Sequence, residues 1–552
     1  MSRFVDKLLE TARDRGDLRG ITTGEPKAPV RHTWGQVHER ATRMAGALVA
    51  GGLTRGGAVA VLAAEPVTIA PAVQAVWLAG GSVTMLHQPT PRTDLAEWAH
   101  DTVRVLTMIG SKLVLLGSPF DQLAPLLDEH GIGYLRLEEL ADGTPLAGVV
   151  EVDEDAPALL QLTSGSTAEP KAVRITHRNL FSNLTAMVEA AELDVEVDVM
   201  VSWLPLFHDM GMVGFLTVPM TVGLELVKVT PVEFLTGPLL WADLISRHRG
   251  TITAAPNFAY ALLGRRLSGV DGPYDLSSLR LALNGAEPVD EKAVKSFVDS
   301  GARFGLRPEC VFPAYGMAEA TLAVSFAPLL TGLTLDHVDA DRLEADNYAE
   351  PAGPDSGRAF AVLGKPLRGI EARIVSAAGE VVGERFVGEI QLRGEAVTPG
   401  YLTVNGPVAT QDADGWLATG DIGYLVAGSI VICGRAKDVI ILGGRNIYPT
   451  DIERAASTVE GVRAGNAVAV RIDAGTRRER FAVVVESRGA GDEAAEKVLR
   501  KDIAARVFEA VNARPSAVVV LAPGTLPKTP SGKLRRAAAG EQVAASIAAA
   551  SL

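Results

Sequence analysis

Residues 162–180 read LTSGSTAEPKAVRITHRNL. The stretch follows an apolar run, PALLQL, and leads into a strand-like AVRIT, so a polar loop sits between two candidate strands. From Thr163 to Thr167 every residue is Ser, Thr or Gly, and Lys171 follows just after Pro170. Two readings are open. A solvent-exposed turn needs only the backbone preferences of these residues. An anion-binding loop uses them differently: small side chains let N–H groups approach phosphate oxygens, hydroxyls add donors, and lysine supplies the countercharge. A Walker A loop is excluded, since Gly-Lys-Ser/Thr is missing and no helix opens at the lysine. The rest of the chain has to decide.

Upstream of this loop, helix and strand alternate. Thr33 is placed as an N-cap with Gln36 as its capping-box partner, and Val37, Ala41, Met44 and Leu48 recur at helical spacing until Gly51-Gly52. The strand AVAVL, a helix around residues 67–79, SVTML, a further helix and KLVLLG follow. Such alternation predicts an α/β fold of mostly parallel sheets covered by helices. Downstream, LRLALNGAEPV reads as a buried strand ending in a turn, and Asp290 to Gly301 as a helix with Ala293, Val294, Phe297 and Val298 inward. Residues 328–360 break the pattern, being acidic and loop-rich, and short Gly-punctuated strands up to IVICGR suggest a β-rich subdomain. Beyond Arg435 a compact α+β pattern carries NAVAVRI, RFAVVVE and AVVVLA and ends in TLPKTPSGKLRR. The expected division is a large domain, 1–436, and a small one, 437–552, with an Ala-rich end that frays.

At 552 residues the chain is long enough for two or more domains with a large core. Its 47% hydrophobic and 22% charged content is that of an ordinary globular protein. A net charge of −13 without a basic tract argues against nucleic acid or an anionic membrane as the main partner. Two cysteines, Cys310 and Cys433, lie far apart, so neither a disulfide framework nor a structural zinc site is expected, and a reducing cytoplasm is. The first residues, MSRFVDKLLETARDRG, lack the apolar core of a signal peptide. Residues 58–81, the most apolar region, are interrupted by Glu65, Pro66 and Pro71, so no integral membrane segment is expected.

Seven motifs then occur in a fixed order: LTSGSTAEPKAV, SWLPLFHDMGM, LNGAEPV, AYGMAEAT, GWLATGD, GRAKDVIILGGRNIYPTDIE and LPKTPSGKLRR. Each alone is weak; their succession, over nearly the whole chain, resembles the adenylate-forming superfamily. That family includes acyl-CoA synthetases, adenylation domains of peptide synthetases and luciferases. The resemblance implies a large nucleotide-binding domain with a small mobile C-terminal domain. It also implies a reaction in which a carboxylate attacks the α-phosphorus of ATP, giving acyl-AMP and pyrophosphate, with Mg2+ on the nucleotide.

On that resemblance the loop Thr163, Ser164, Gly165, Ser166 and Thr167, with Lys171, cradles the β- and γ-phosphates. Glu319 would hold the metal, although a lone Glu is more often a solvated charge. Tyr315 resembles the ring stacked on adenine, against plain core packing, and Gly285, Ala286 and Glu287 with Gly316 and Met317 complete that wall. Asp421 and Arg435 would bind the ribose; otherwise they are a turn residue and a surface charge. His208 would stand at the acyl and carboxylate entry rather than being a satisfied buried histidine. Lys533 matches the catalytic lysine and Lys437 the hinge. Two departures stand out: Ala168 and Ala172 replace customary glycines, which stiffens the loop, and Ala318 precedes Glu319 where many relatives carry a hydroxyl.

WLPLFHDMG, NGAEPV, YGMAEATLAVSFA and GGRNIYPTDIE are most similar to the fatty acyl-AMP ligase branch. Residues 328–363 resemble the insertion of those ligases, which packs on the small domain and disfavours the CoA-using arrangement; composition alone would make them a tolerated surface loop. The implied function is activation of a medium- to long-chain fatty acid and transfer of the acyl group to an acyl carrier protein or polyketide synthase carrier domain. A fatty acyl-CoA synthetase of the same fold and a non-catalytic homologue are the alternatives.

Overall fold

A computed structural model describes residues 2–89, 93–163, 169–442, 445–476, 479–528 and 534–550. Ser164, Gly165, Ser166, Thr167 and Lys533 lie outside the described residues. Backbone contacts divide the chain into two compact units. Unit one is Met1–Thr334, Ala361–Ala372 and Leu392–Leu417; unit two is Leu335–Phe360, Arg373–Gln391 and Ala418–Leu552.

Two large sheets organise unit one. One runs, in spatial order, Gly406–Ala409, Gly400–Thr403, Lys171–Thr176, Pro157–Thr163, Ser82–Met85, Ala58–Leu62, Leu113–Leu116, Gly133–Arg136. The pairs from Pro157–Thr163 onward are parallel, as the strand–helix alternation requires, and those on the other side are antiparallel. In the second sheet the strands Val311–Gly316, Leu281–Asn284, Ile252–Ala255, Val199–Ser202, Glu225–Lys228 and Gly20–Thr23 lie side by side and parallel.

The helices cover these sheets for local reasons visible in the sequence. Trp34–Ala50 starts at the Thr33/Gln36 capping box and buries Val37, Ala41, Met44 and Leu48. Pro66–Leu78 is buried nearly all round, and its Trp77 indole donates to the Ala158 carbonyl at 2.9 Å. Glu291–Gly301 is capped by Asp290 and buries Ala293, Val294 and Phe297, while Val298 is only partly covered. Among the described residues no helix is long and apolar enough to cross a membrane, and both cysteines are buried and free.

Unit two contains the three-stranded sheet Val462–Ile472, Arg480–Ser487, Ala517–Leu521, and most of a five-stranded sheet in the order Val381–Val382, Ile370–Val375, Gly388–Gly394, Leu417–Val426, Ser429–Arg435. In the three-stranded sheet the middle strand is Arg480–Ser487. That strand alternates: Phe481, Val483 and Val485 join one core with Ile452, Ile503 and Val507, whereas Ala482 and Val484 join another with Leu526, Ala539 and Val543. The chain end, expected to fray, is helical over Arg536–Ala550. The acidic segment expected to be loop is partly regular: strand Leu335–Val338 leads into helix Ala340–Asp346, whose N-cap Asp339 accepts from the Arg342 N–H. Acidity there does not mean exposure. Glu344 is buried, with Oε1 accepting from Arg358 at 2.7 Å and Oε2 from Arg445 at 2.5 Å, and Arg358 also lies 3.1 Å from Asp451. Burial opposes the Arg358 charge, but Asp451 and Glu344 outweigh it and raise its pKa.

Candidate active site

Thr163 and Lys171 are directly paired residues at the ends of antiparallel strands Pro157–Thr163 and Lys171–Thr176, so the polar loop joins a hairpin. The Thr163 hydroxyl is buried without a hydrogen-bond partner among the described residues. Such an orphan costs free energy unless something satisfies it. Lys171 Nζ lies 3.6 Å from Glu319 Oε1 and 3.9 Å over the Tyr401 ring centroid. The Tyr401 hydroxyl donates to the same Glu319 oxygen at 2.6 Å.

Two local features bring these groups together. Strand Gly400–Thr403 pairs antiparallel with Lys171–Thr176, setting Thr403 opposite Lys171 and Tyr401 one diagonal step away, within reach of an aromatic ring. Glu319 sits on the short turn Ala318–Ala320, and its carbonyl accepts from the Thr398 N–H at 2.8 Å. The Glu319 side chain is 13% exposed, so it is not an ordinary solvated carboxylate.

Strands Leu281–Asn284 and Val311–Gly316 are parallel neighbours, and their carboxyl ends deliver Gly285–Ala286–Glu287 and Tyr315–Gly316–Met317 side by side. Carboxyl ends of parallel strands are where open α/β sheets bind ligands. A Cβ on Gly285 would lie 3.3 Å from the Ala314 carbonyl, so a side chain there would crowd the wall. Ala286 has φ +73, a left-handed conformation costing a non-glycine residue about 1–2 kcal/mol. Tyr315 is buried, and its hydroxyl lies 3.5 Å from the Met317 sulfur. Asn284 donates to Asn257 at 3.0 Å, while its own Oδ1 is buried with no partner among the described residues.

His208 is neither fully buried nor isolated. Its side chain is 21% exposed and Nδ1 lies 2.6 Å from Asp209 Oδ1. The Met210 N–H approaches both groups but is closer to Asp209 Oδ1, 2.7 Å against 3.3 Å. The short contact between Nδ1 and the Asp209 carboxylate fixes the orientation of the imidazole ring and leaves Nε2 on its other side. The neighbouring His87 ring packs edge-on to Phe207 at 5.3 Å, and burial, reinforced by the His208 charge, pushes His87 down to about 4. Gln161, on the strand that leads into the polar loop, donates to the Phe207 carbonyl at 2.9 Å.

Asp421, Arg435 and Lys437 belong to unit two. Asp421 and Arg435 stand directly opposite in an antiparallel hairpin, and Arg435 Nε donates to Asp421 Oδ1 at 2.8 Å. Asp421 is buried whereas Arg435 is half-exposed. The Lys437 carbonyl accepts from Arg471 at 2.6 Å, and Asp438 pairs with Arg536 at 3.2 Å.

Sequence reasoning missed Tyr401, Gln161 and the burial of Glu344. A signal existed for Gln161, a lone amide in the apolar run PALLQL; TPGYLT carried none for Tyr401.

The chain is similar to known proteins over most of its length. Residues 10–402 match the family model described as AMP-binding enzyme. A Mycobacterium tuberculosis protein named as a ligase is 57% identical over 97% of this chain and 99% of its own length. The long-chain-fatty-acid–AMP ligase FadD26 of Mycobacterium marinum is 33% identical over 73% of this chain and 75% of its own. A solved chain from work on the fatty acyl-adenylate ligases of E. coli and L. pneumophila is 31% identical, with TM-score 0.89 over 100% of this chain and 99% of that one.

Proposed function

The chain belongs to the AMP-binding enzyme family, and on that premise we propose that it is a cytoplasmic fatty acyl-AMP ligase. In this reading it joins a medium- to long-chain fatty acid to the AMP moiety of ATP, releases pyrophosphate, and passes the acyl group to the phosphopantetheine thiol of an acyl carrier protein. The observation that carries the reading is the meeting of Lys171, Glu319 and Tyr401, residues remote in sequence, beside the loop opened by Thr163.

A carboxylate oxygen attacks the α-phosphorus and the bond to the β-phosphate oxygen breaks. Two anions must approach, so the protein's task is positioning and charge neutralisation. Lys171 and the Thr163–Thr167 loop would hold the β- and γ-phosphates. Gly285, Ala286, Glu287, Tyr315, Gly316 and Met317 would form the adenine wall, with Asp421 and Arg435 on the ribose. His208, its ring oriented by Asp209, would orient the acid, and Lys533 would bridge the carboxylate and the α-phosphate. Lys437 would serve as the hinge between the adenylating and transferring arrangements.

Magnesium suits the donor set. The ion takes one or two protein carboxylates and fills the remaining positions with phosphate oxygens and water. Glu319 offers one such carboxylate, and no group of three potential metal ligands occurs among the described residues. When bound, the ion neutralises phosphate charge; Glu319 is the residue that would hold it.

The ligase branch, rather than a CoA synthetase, is supported by Glu344: the insertion-like segment and the C-terminal residue Arg445 are parts of one packed unit, joined by an ion pair to the buried Glu344 carboxylate. The test is carboxylate-dependent ATP–pyrophosphate exchange with acids of graded chain length. Wild type is expected to exchange, and Lys533→Ala to lose about 10²–10³ of the rate with the fold intact. Near-normal exchange by Lys533→Ala would remove that residue from the mechanism, and no exchange by wild type with any acid would favour a non-catalytic homologue.

A further inference from the structure

Lys228 is a fully buried lysine that the proposed reaction leaves unused. It ends the strand Glu225–Lys228, directly opposite Ser202 on the parallel neighbour Val199–Ser202. Its ammonium donates to the Leu204 carbonyl, to the Val229 carbonyl at 3.3 Å and to Ser202 Oγ at 3.5 Å. Among the described residues it forms no ion pair with a carboxylate; Glu233 acts on it only through its charge, without a hydrogen bond. Burial pushes its pKa down to about 7, so a group this expensive to bury is retained with neutral acceptors alone.

Those acceptors share one consequence. Ser202 Oγ also receives the Leu204 N–H at 3.2 Å, so both the N–H and the carbonyl of Leu204 are held at the Lys228–Ser202 node. The chain from Trp203 to Asp209 leaves this node and is held again at Phe207, whose carbonyl receives Gln161. Just past the second anchor the His208 N–H turns back to Pro205 O at 3.3 Å, and the His208 carbonyl accepts from Met212 at 2.8 Å. The loop therefore has two interior anchors, and His208 adjoins the second.

We propose that Lys228 is a positioning residue for the carboxylic-acid substrate: its buried ammonium fixes the Trp203–Asp209 loop and thereby His208. The proposal rests on the reading of His208 as the acyl-side residue. A methionine at 228 keeps the length and volume while removing every donor, and replacing a buried charge by an apolar isostere is commonly tolerated by the fold.

The experiment compares full-length wild type with Lys228→Met. It measures amide hydrogen exchange over residues 204–210 without substrate, and the KM values for fatty acid and for ATP separately. Lys228→Met is expected to speed exchange in that loop and to raise the fatty-acid KM about tenfold, the scale of one lost charged hydrogen bond, with the ATP KM within about twofold. Unchanged loop exchange, or an equal rise in both KM values, would overturn the proposal. If Lys228→Met does not fold, Ser202→Ala weakens the same node and is expected to raise only the fatty-acid KM, by about two- to fivefold; no change there overturns the proposal equally. The exchange readout needs no turnover, so an enzyme inactive on every acid would count against the functional reading and not against Lys228.

Discussion

The phenol of Tyr401 donates a 2.6 Å hydrogen bond to Glu319. Its ring face at the same time receives the Lys171 ammonium at 3.9 Å. One side chain thus steadies both the carboxylate assigned to the metal and the cation assigned to the phosphates, by separable interactions. Tyr401→Phe removes only the hydroxyl; Tyr401→Leu removes the ring as well. The phenylalanine variant is expected to weaken the extra thermal stabilisation that Mg2+ adds to ATP binding while leaving stabilisation by ATP alone unchanged. The leucine variant is expected to weaken both, by about 0.5–1 kcal/mol more. Identical shifts for the two variants would show that the ring–ammonium contact contributes nothing.

Glu344 holds two arginines from its buried position, and one of them, Arg445, lies in the C-terminal part of the chain. Removing the carboxylate leaves the buried Arg358 with Asp451 alone and takes from the partly exposed Arg445 its carboxylate partner, a destabilising change. Glu344→Ala is therefore predicted to lower the melting temperature. If the insertion-like segment disfavours CoA use through this contact, the variant should also form acyl-CoA from fatty acid, ATP and CoA where wild type does not. A destabilised variant that still makes no CoA ester would separate the ion pair from the choice of acceptor.

Lys228 gives a pH dependence of definite sign. Its pKa falls from 10.5 in the unfolded reference to about 7 in the fold, so across that interval the unfolded chain binds the proton more tightly. The stability this group contributes accordingly rises with pH from about 7 to 10.5 and is lowest below 7. Lys228→Met abolishes that slope. The melting-temperature difference, variant minus wild type, should be most positive near pH 6 and shrink toward about pH 9. A difference that does not vary with pH would mean that the lysine keeps its ordinary affinity for the proton.

What the sequence disclosed depended on whether the physics was local. The Trp34–Ala50 helix was legible because its capping box and apolar spacing lie within one contiguous stretch. The order of the motifs singled out Thr163, Lys171 and Glu319 as candidates, and the last two do meet in the fold, but Tyr401 was not singled out. Its contact depends on the pairing of Gly400–Thr403 with Lys171–Thr176, a long-range register that no local pattern encodes. Gln161 and Lys228 each interrupt an apolar run, PALLQL and ELVKV, which marks them as unusual; their partners are mainly backbone carbonyls, which leave no trace in side-chain sequence. Around Glu344, acidic composition suggested a solvated loop because composition cannot register a distant arginine.

The account turns on formation of an acyl-adenylate as a distinct product. The direct measurement is mass detection of acyl-AMP, acyl-CoA and carrier-bound acyl groups after incubation with ATP, Mg2+, a long-chain fatty acid, CoA and a phosphopantetheinylated carrier protein. The account predicts acyl-AMP and acylated carrier with little CoA ester. Efficient acyl-CoA formation with an unmodified carrier would contradict it.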